Sequence, residues 1–82
     1  MGSVSAKENH VQELDARGLA CPLPLLKAKQ HLHKMVSGEC LRVLATDQGS
    51  VRDFRAFADI SGHQLIEQTQ QLDVYVHVLR KS

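Results

Sequence analysis

The sequence predicts an α+β fold in the order β-α-β-α-β-β, with two helices packed on one face of a four-stranded mixed sheet. Three observations lead there. A short strand pattern runs into a proline-framed helix start at Cys21-Pro22-Leu23-Pro24, and a second strand at 39–46 is followed by an amphipathic series at 50–61. Two alternating segments, 63–70 and 73–80, then close the chain with a tight turn between them. At 82 residues the chain supports a single domain over 11–82 that folds without disulfides or a structural metal. With one Tyr, two Phe and no Trp, its core is built from aliphatic side chains, which suits helices on a sheet.

Residues 1–10 are polar and aperiodic and are expected to be a flexible lead-in. Val11 to Ala16 forms the first strand, and Gly18 gives the backbone freedom for the turn that follows. The first helix is expected from about Pro22 to Val36, with Leu25, Ala28, Leu32, Met35 and Val36 on the core face. Leu23 and Leu26 then remain partly exposed beside Cys21 as a docking surface, and His31 and His33 face solvent.

In the second strand Leu41, Val43 and Ala45 share one face, and Cys40, Arg42, Leu44 and Thr46 the other. Asp47 belongs to the following turn, where its carboxylate caps backbone amides or pairs with Arg52. Ser50 and Asp53 match a Ser-x-x-Asp cap for the second helix, with Phe54, Phe57, Ala58 and Ser61 as its apolar series and Gly62 as its C-cap. The last two strands are close enough in sequence to pair antiparallel. The first two, joined through a helix, form a right-handed parallel crossover.

That topology gathers the chemistry at one end of the sheet. The C-terminal ends of two parallel strands lie together, so Cys21 and the Asp47-to-Arg52 segment become neighbours. Cys21 reads as an N-cap followed by Pro22 at the first helical position, where proline's missing N–H costs nothing. A thiolate there gains from the helix dipole and from the Leu23 amide, since Pro22 and Pro24 offer none, and a lowered thiol pKa is expected. Arg17 and Arg52, and less directly Lys27, add positive potential. The two cysteines match neither a zinc nor a Cys-x-x-Cys spacing. Cys40 starts a strand that spans about 23 Å before the site end is reached, which excludes a Cys21–Cys40 bridge.

Other function classes find little support. A net charge of +1 gives no field for a nucleic-acid surface. No apolar run approaches the roughly 18 residues of a membrane span, and a cytoplasmic location is expected. No Cys–His pair is evident, and the histidine spacing is poor for a metal. A lone helix-capping cysteine suits an attacking thiolate or a carrier of transferable sulfur.

The stretch Leu14-Asp15-x-x-Gly18-Leu19-x-Cys21-Pro22-x-Pro24 resembles the signature of the TusA (SirA-like) sulfur-carrier family. The similarity continues through Gly38-Glu39, the Asp47 turn, Arg52-Asp53 and the closing Arg80-Lys81, covering about residues 12 to 81. It implies a two-layer α/β sandwich and a sulfurtransferase that takes persulfide sulfur onto Cys21 from a cysteine desulfurase. The sulfur then passes to an acceptor protein, with no cofactor beyond the transient persulfide. In one branch it reaches 2-thiouridine in tRNA; other branches serve molybdenum-cofactor enzymes or sulfur oxidation, and a regulatory adaptor that transfers no sulfur is a further alternative. One departure concerns the docking partner: Arg17 and Ala20 precede Cys21 here, whereas some tRNA-thiolation members place a basic residue immediately before the cysteine.

Overall fold

The computed structural model describes residues 11–82; the expected lead-in at 1–10 lies outside the described residues. The elements are β1 (Val11–Ala16), α1 (Leu23–His33), β2 (Cys40–Ala45), α2 (Gly49–Ser61), β3 (Gln64–Gln71) and β4 (Val74–Arg80). They follow the expected order, and the strands lie β1-β2-β4-β3 across one sheet. β1 and β2 are parallel, with Ala16 level with Ala45, while β2–β4 and β4–β3 are antiparallel.

Both helices pack on the same side. Ala28 and Leu32 of α1, Met35 just after it and Phe54 of α2 are buried in one cluster with Ala16, Leu41, Val43 and Leu79 of the strands. The alternation in β2 thus sends Leu41 and Val43 inward as expected. In β4 the inward face is that of His77 and Leu79, so a histidine enters the core. No buried side-chain nitrogen or oxygen among the described residues lacks a partner, in keeping with the cost of leaving one unmet.

Helix α1 is shorter at both ends than its periodicity suggests. It begins at Leu23, and its last turn tightens after His33 with Lys34 N–H bonded to His31 O and Met35 N–H to Leu32 O, both at 3.1 Å. Lys81 Nζ then donates to the carbonyls of Leu32, at 2.7 Å, and Met35. Glu39 Oε1 takes the Val36 amide at 2.9 Å, so both termination contacts come from outside the helix. Val36, expected on the core face, is consequently 64% exposed, while Met35 keeps its buried place. His31, expected in solvent, is half-buried and donates from Nε2 to Gln12 Oε1 at 2.7 Å; His33 is exposed as expected.

The β3–β4 hairpin has a register shift between Leu65 and Glu67, which leaves Leu65 on the core and Ile66 exposed. Its two-residue loop is Leu72-Asp73. There Leu72 takes φ 57° with its side chain 94% exposed, a left-handed conformation that costs a branched residue more than glycine.

Candidate functional site

The site is built where β1 and β2 both end. After Ala16 the chain turns at Gly18, whose φ of 82° is open to glycine and strained for other residues, and whose amide donates to Thr46 Oγ1 just past β2 at 2.9 Å. Leu19 then tucks against the core, and Ala20 O accepts the Leu23 amide at 2.9 Å in the tight turn that carries Cys21 and Pro22. Cys21 is exposed at the tip of this turn.

Two expectations about this turn are corrected. The N-cap is Pro22, whose carbonyl accepts the Leu26 amide at 3.1 Å, so Cys21 stands one residue outside the helix and Pro24, buried, lies in its first turn. The Leu23 amide is already committed to Ala20 O and does not face the sulfur. Pro22 has no N–H to lose at a cap, so the proline pair is compatible with either register and cannot fix it.

The sulfur's partner is a carboxylate from the other helix. Cys21 Sγ–H donates to Asp53 Oδ2, joining residues 32 apart in sequence. This contact pushes the thiol above its ordinary value; desolvation and the negative charges of Asp53 and Asp47 act in the same direction, with Arg52 opposing. The expected lowering of the thiol pKa is therefore reversed. A full charge at hydrogen-bond distance outweighs the partial charge of a helix end.

Arg17 contributes nothing to that balance. Its Nε and second guanidinium nitrogen donate to the two carboxylate oxygens of Asp15 at 2.8 and 2.9 Å, which holds the Asp15 carboxyl down at about 2. Lys27 is exposed on α1 and does not bear on the thiol either. Arg52 opposes the rise of the thiol pKa through its positive charge without bonding to the sulfur.

Asp47 behaves as the turn residue the sequence suggests, its Oδ2 accepting the Gly49 amide at 2.9 Å and its carbonyl the Ser50 amide at 3.1 Å. No bond to Arg52 forms. Gly49 closes one side of the sulfur: a Cβ there would stand 3.4 Å from Cys21 Sγ and 2.8 Å from Asp47 Oδ2. The absence of a side chain lets α2 approach this closely.

Ser50 and Asp53, expected as a reciprocal cap, are used otherwise. Helix α2 starts at Gly49 with Gln48 as N-cap and no side-chain capping bond. Ser50 Oγ turns inward to His77 Nε2 at 2.9 Å, and Asp53 turns to Cys21. The sequence signal for Asp53 was its place on a flank of α2, about 60° round from Ser50, on a helix that starts where α1 starts. Among the described residues, no three His, Cys, Asp or Glu side chains group as a metal site. Among the described residues, no helix is long and apolar enough to cross a membrane.

Beside Cys21, Leu23 and Leu26 are each 44% exposed, as their helical positions predict. Cys40 lies at the far end of β2, half-buried, and both cysteines are free thiols. A small α+β protein that presents one cysteine at the open end of its sheet, with apolar side chains next to it, is the class that fold and site define.

The family model described as Sulfurtransferase TusA matches residues 12–81, and the chain belongs to that family. The chain is 51% identical over 71 residues to the sulfur carrier protein TusA of Allochromatium vinosum, covering 87% of this chain and 93% of that one. To the sulfur carrier protein TusA of Pseudomonas putida it is 37% identical over 68 residues, covering 83% and 85%. The crystal structure of a SirA-like protein from Desulfitobacterium hafniense superposes with a TM-score of 0.74 at 25% identity, covering 85% of this chain and 95% of the other.

Proposed function

We propose that this protein is a sulfur carrier in which Cys21 receives persulfide sulfur from a cysteine desulfurase and relays it to an acceptor protein. The observation that carries the reading is the exposed Cys21 thiol at the sheet's open end, within the Cys-Pro-x-Pro stretch of a TusA family member. In the transfer, Cys21 Sγ, as thiolate, attacks the outer sulfur of the donor's persulfide. The donor's S–S bond breaks, its cysteine leaves as a thiolate that takes up the proton lost by Cys21, and a new S–S bond joins the sulfane sulfur to Cys21. The exchange is redox-neutral and repeats with the acceptor.

Leu23 and Leu26 supply apolar area for docking, and Pro22 and Pro24 fix the turn that presents the sulfur. The proposed destination is 2-thiouridine in tRNA, by way of further protein carriers in the cytoplasm and without direct RNA binding. That destination rests on the family resemblance.

Incubation with a cysteine desulfurase, pyridoxal phosphate and sulfur-labelled cysteine tests the carrier reading. One labelled sulfur is expected on the wild type and on Cys40→Ser, and none on Cys21→Ser. Label retained without Cys21 refutes it, and partner binding unaffected by Cys21→Ser together with no loading favours an adaptor. Loss of 2-thiouridine from tRNA in cells lacking the protein, restored by wild type and not by Cys21→Ser, tests the destination.

A further inference from the structure

Among the described residues, three charged groups act on Cys21, and their signs do not favour a free thiolate. Asp53 holds the thiol proton directly, Asp47 adds a second negative charge from the turn before α2, and Arg52 alone is positive. Arg17, the nearest basic residue in sequence, is spent on Asp15. On the α2 side the space beyond the sulfur is closed by Gly49. A carboxylate can accept a hydrogen bond from this sulfur only while the sulfur is protonated.

Loading changes that relation. A hydropersulfide is a stronger acid than a thiol, so a carrier with sulfur on Cys21 is an anion where the empty carrier is a neutral donor. The same carboxylate that binds one repels the other.

We propose that Asp53 is the gating residue that separates the empty carrier from the loaded one: it holds the unloaded sulfur against α2 as a hydrogen-bonded thiol and turns an anionic persulfide outward, away from α2. The proposal rests on the reading of Cys21 as the sulfur-bearing residue. The empty carrier is then a poor target for stray electrophiles and oxidants, and the loaded carrier projects its outer sulfur toward solvent, where an acceptor meets it. Discrimination comes from charge, in a site too open to discriminate by shape.

The test measures alkylation of Cys21 by iodoacetamide as a function of pH, in a Cys40→Ser background, before and after chemical loading with inorganic polysulfide; mass spectrometry separates the two adducts. In Asp53→Asn the inflection of the unloaded protein moves to lower pH. For each pH unit it moves, the thiolate fraction at neutral pH rises about tenfold while its intrinsic nucleophilicity falls about threefold, leaving a gain of about threefold in rate. The loaded protein gains nothing, so the ratio of loaded to unloaded rates falls by the same factor. Asp47→Asn, which removes the more distant charge, moves the inflection less.

An Asp53→Asn profile that superposes on wild type, an unchanged ratio, or an equal effect of Asp47→Asn each overturns the proposal. Should Asp53→Asn fail to fold, Asp53→Ser removes the same charge with less bulk and is read in the same way. Chemical loading makes the measurement independent of any desulfurase. A wild type that shows the gate yet takes no sulfur from the enzyme would refute the proposed function and leave the gate standing.

Discussion

Acidification should unfold this protein through one buried ring. His77 has no exposed surface; its ring stacks on Phe54 with centroids 4.4 Å apart and planes within 8°. Burial holds its pKa at about 4, below the ordinary 6.5. The hydrogen bonds agree with a neutral ring. Gln68 Nε2, donor only, gives one hydrogen to Val51 O and one to His77 Nδ1, at 3.0 and 3.1 Å. Nδ1 is therefore the bare nitrogen, and Nε2–H donates to Ser50 Oγ. A proton on Nδ1 would set donor against donor.

The sign follows from which state binds the proton. Above pH 6.5 His77 is neutral folded and unfolded, and stability is unaffected; between 6.5 and about 4 only the unfolded chain takes up the proton, so stability falls as pH falls. At about 1.4 kcal/mol per pH unit across that interval, the loss approaches about 3 kcal/mol below pH 4, a large part of the stability of a small domain. Asp15, whose carboxyl lies at about 2 against 3.8 ordinarily, loses its contribution only below this window. Urea unfolding at pH 7.5, 5.5 and 4 measures the slope, and His77→Gln, which carries no titrating ring, should abolish most of it. A folded-state His77 that titrates near 6.5 by proton NMR, or a slope unchanged in His77→Gln, would refute the reasoning.

Three other outcomes are expected. Lys81→Met removes a charged donor from two carbonyls at the end of α1 and should cost about 1–2 kcal/mol in urea unfolding, with no effect on the alkylation of Cys21. Leu72→Gly relieves a left-handed leucine in an exposed loop, and after the extra entropy of the unfolded glycine should raise stability by about 0.5 kcal/mol, read as a higher melting temperature. Leu23→Ser with Leu26→Ser should slow sulfur loading by a desulfurase at least severalfold while changing stability by no more than about 1–2 kcal/mol, since both side chains are already half in solvent.

Much of this architecture is written locally. The alternation in 39–46 and the amphipathic run in 50–61 specify their elements, and parallel pairing of β1 with β2 follows from the helix between them, which is why Cys21 and the Asp47 turn could be brought together on paper. What stayed hidden is where two locally sensible roles compete. Ser50 and Asp53 fit a cap, yet tertiary partners at His77 and Cys21 claim both side chains. In β4 either face could have turned inward, because Val74, Val76 and Val78 are as apolar as Tyr75 and Leu79 are bulky. The histidine face turns inward with Leu79, and Ser50 and Gln68 satisfy the buried imidazole there. The polarity of the thiol's surroundings was illegible for the same reason: the deciding charge arrives from 32 residues away.

A helix laid on a sheet can roll about its own axis, and α2 has to be stopped at one angle. Phe54 lies flat on the His77 ring and Ser50 bonds to its edge, so two successive turns are keyed to the same imidazole. A slip of one residue would rotate the helix by about 100° and carry the adjacent Asp53 out of reach of Cys21. The buried ring thus sets the phase of α2, and through it the protonation of a sulfur it never touches.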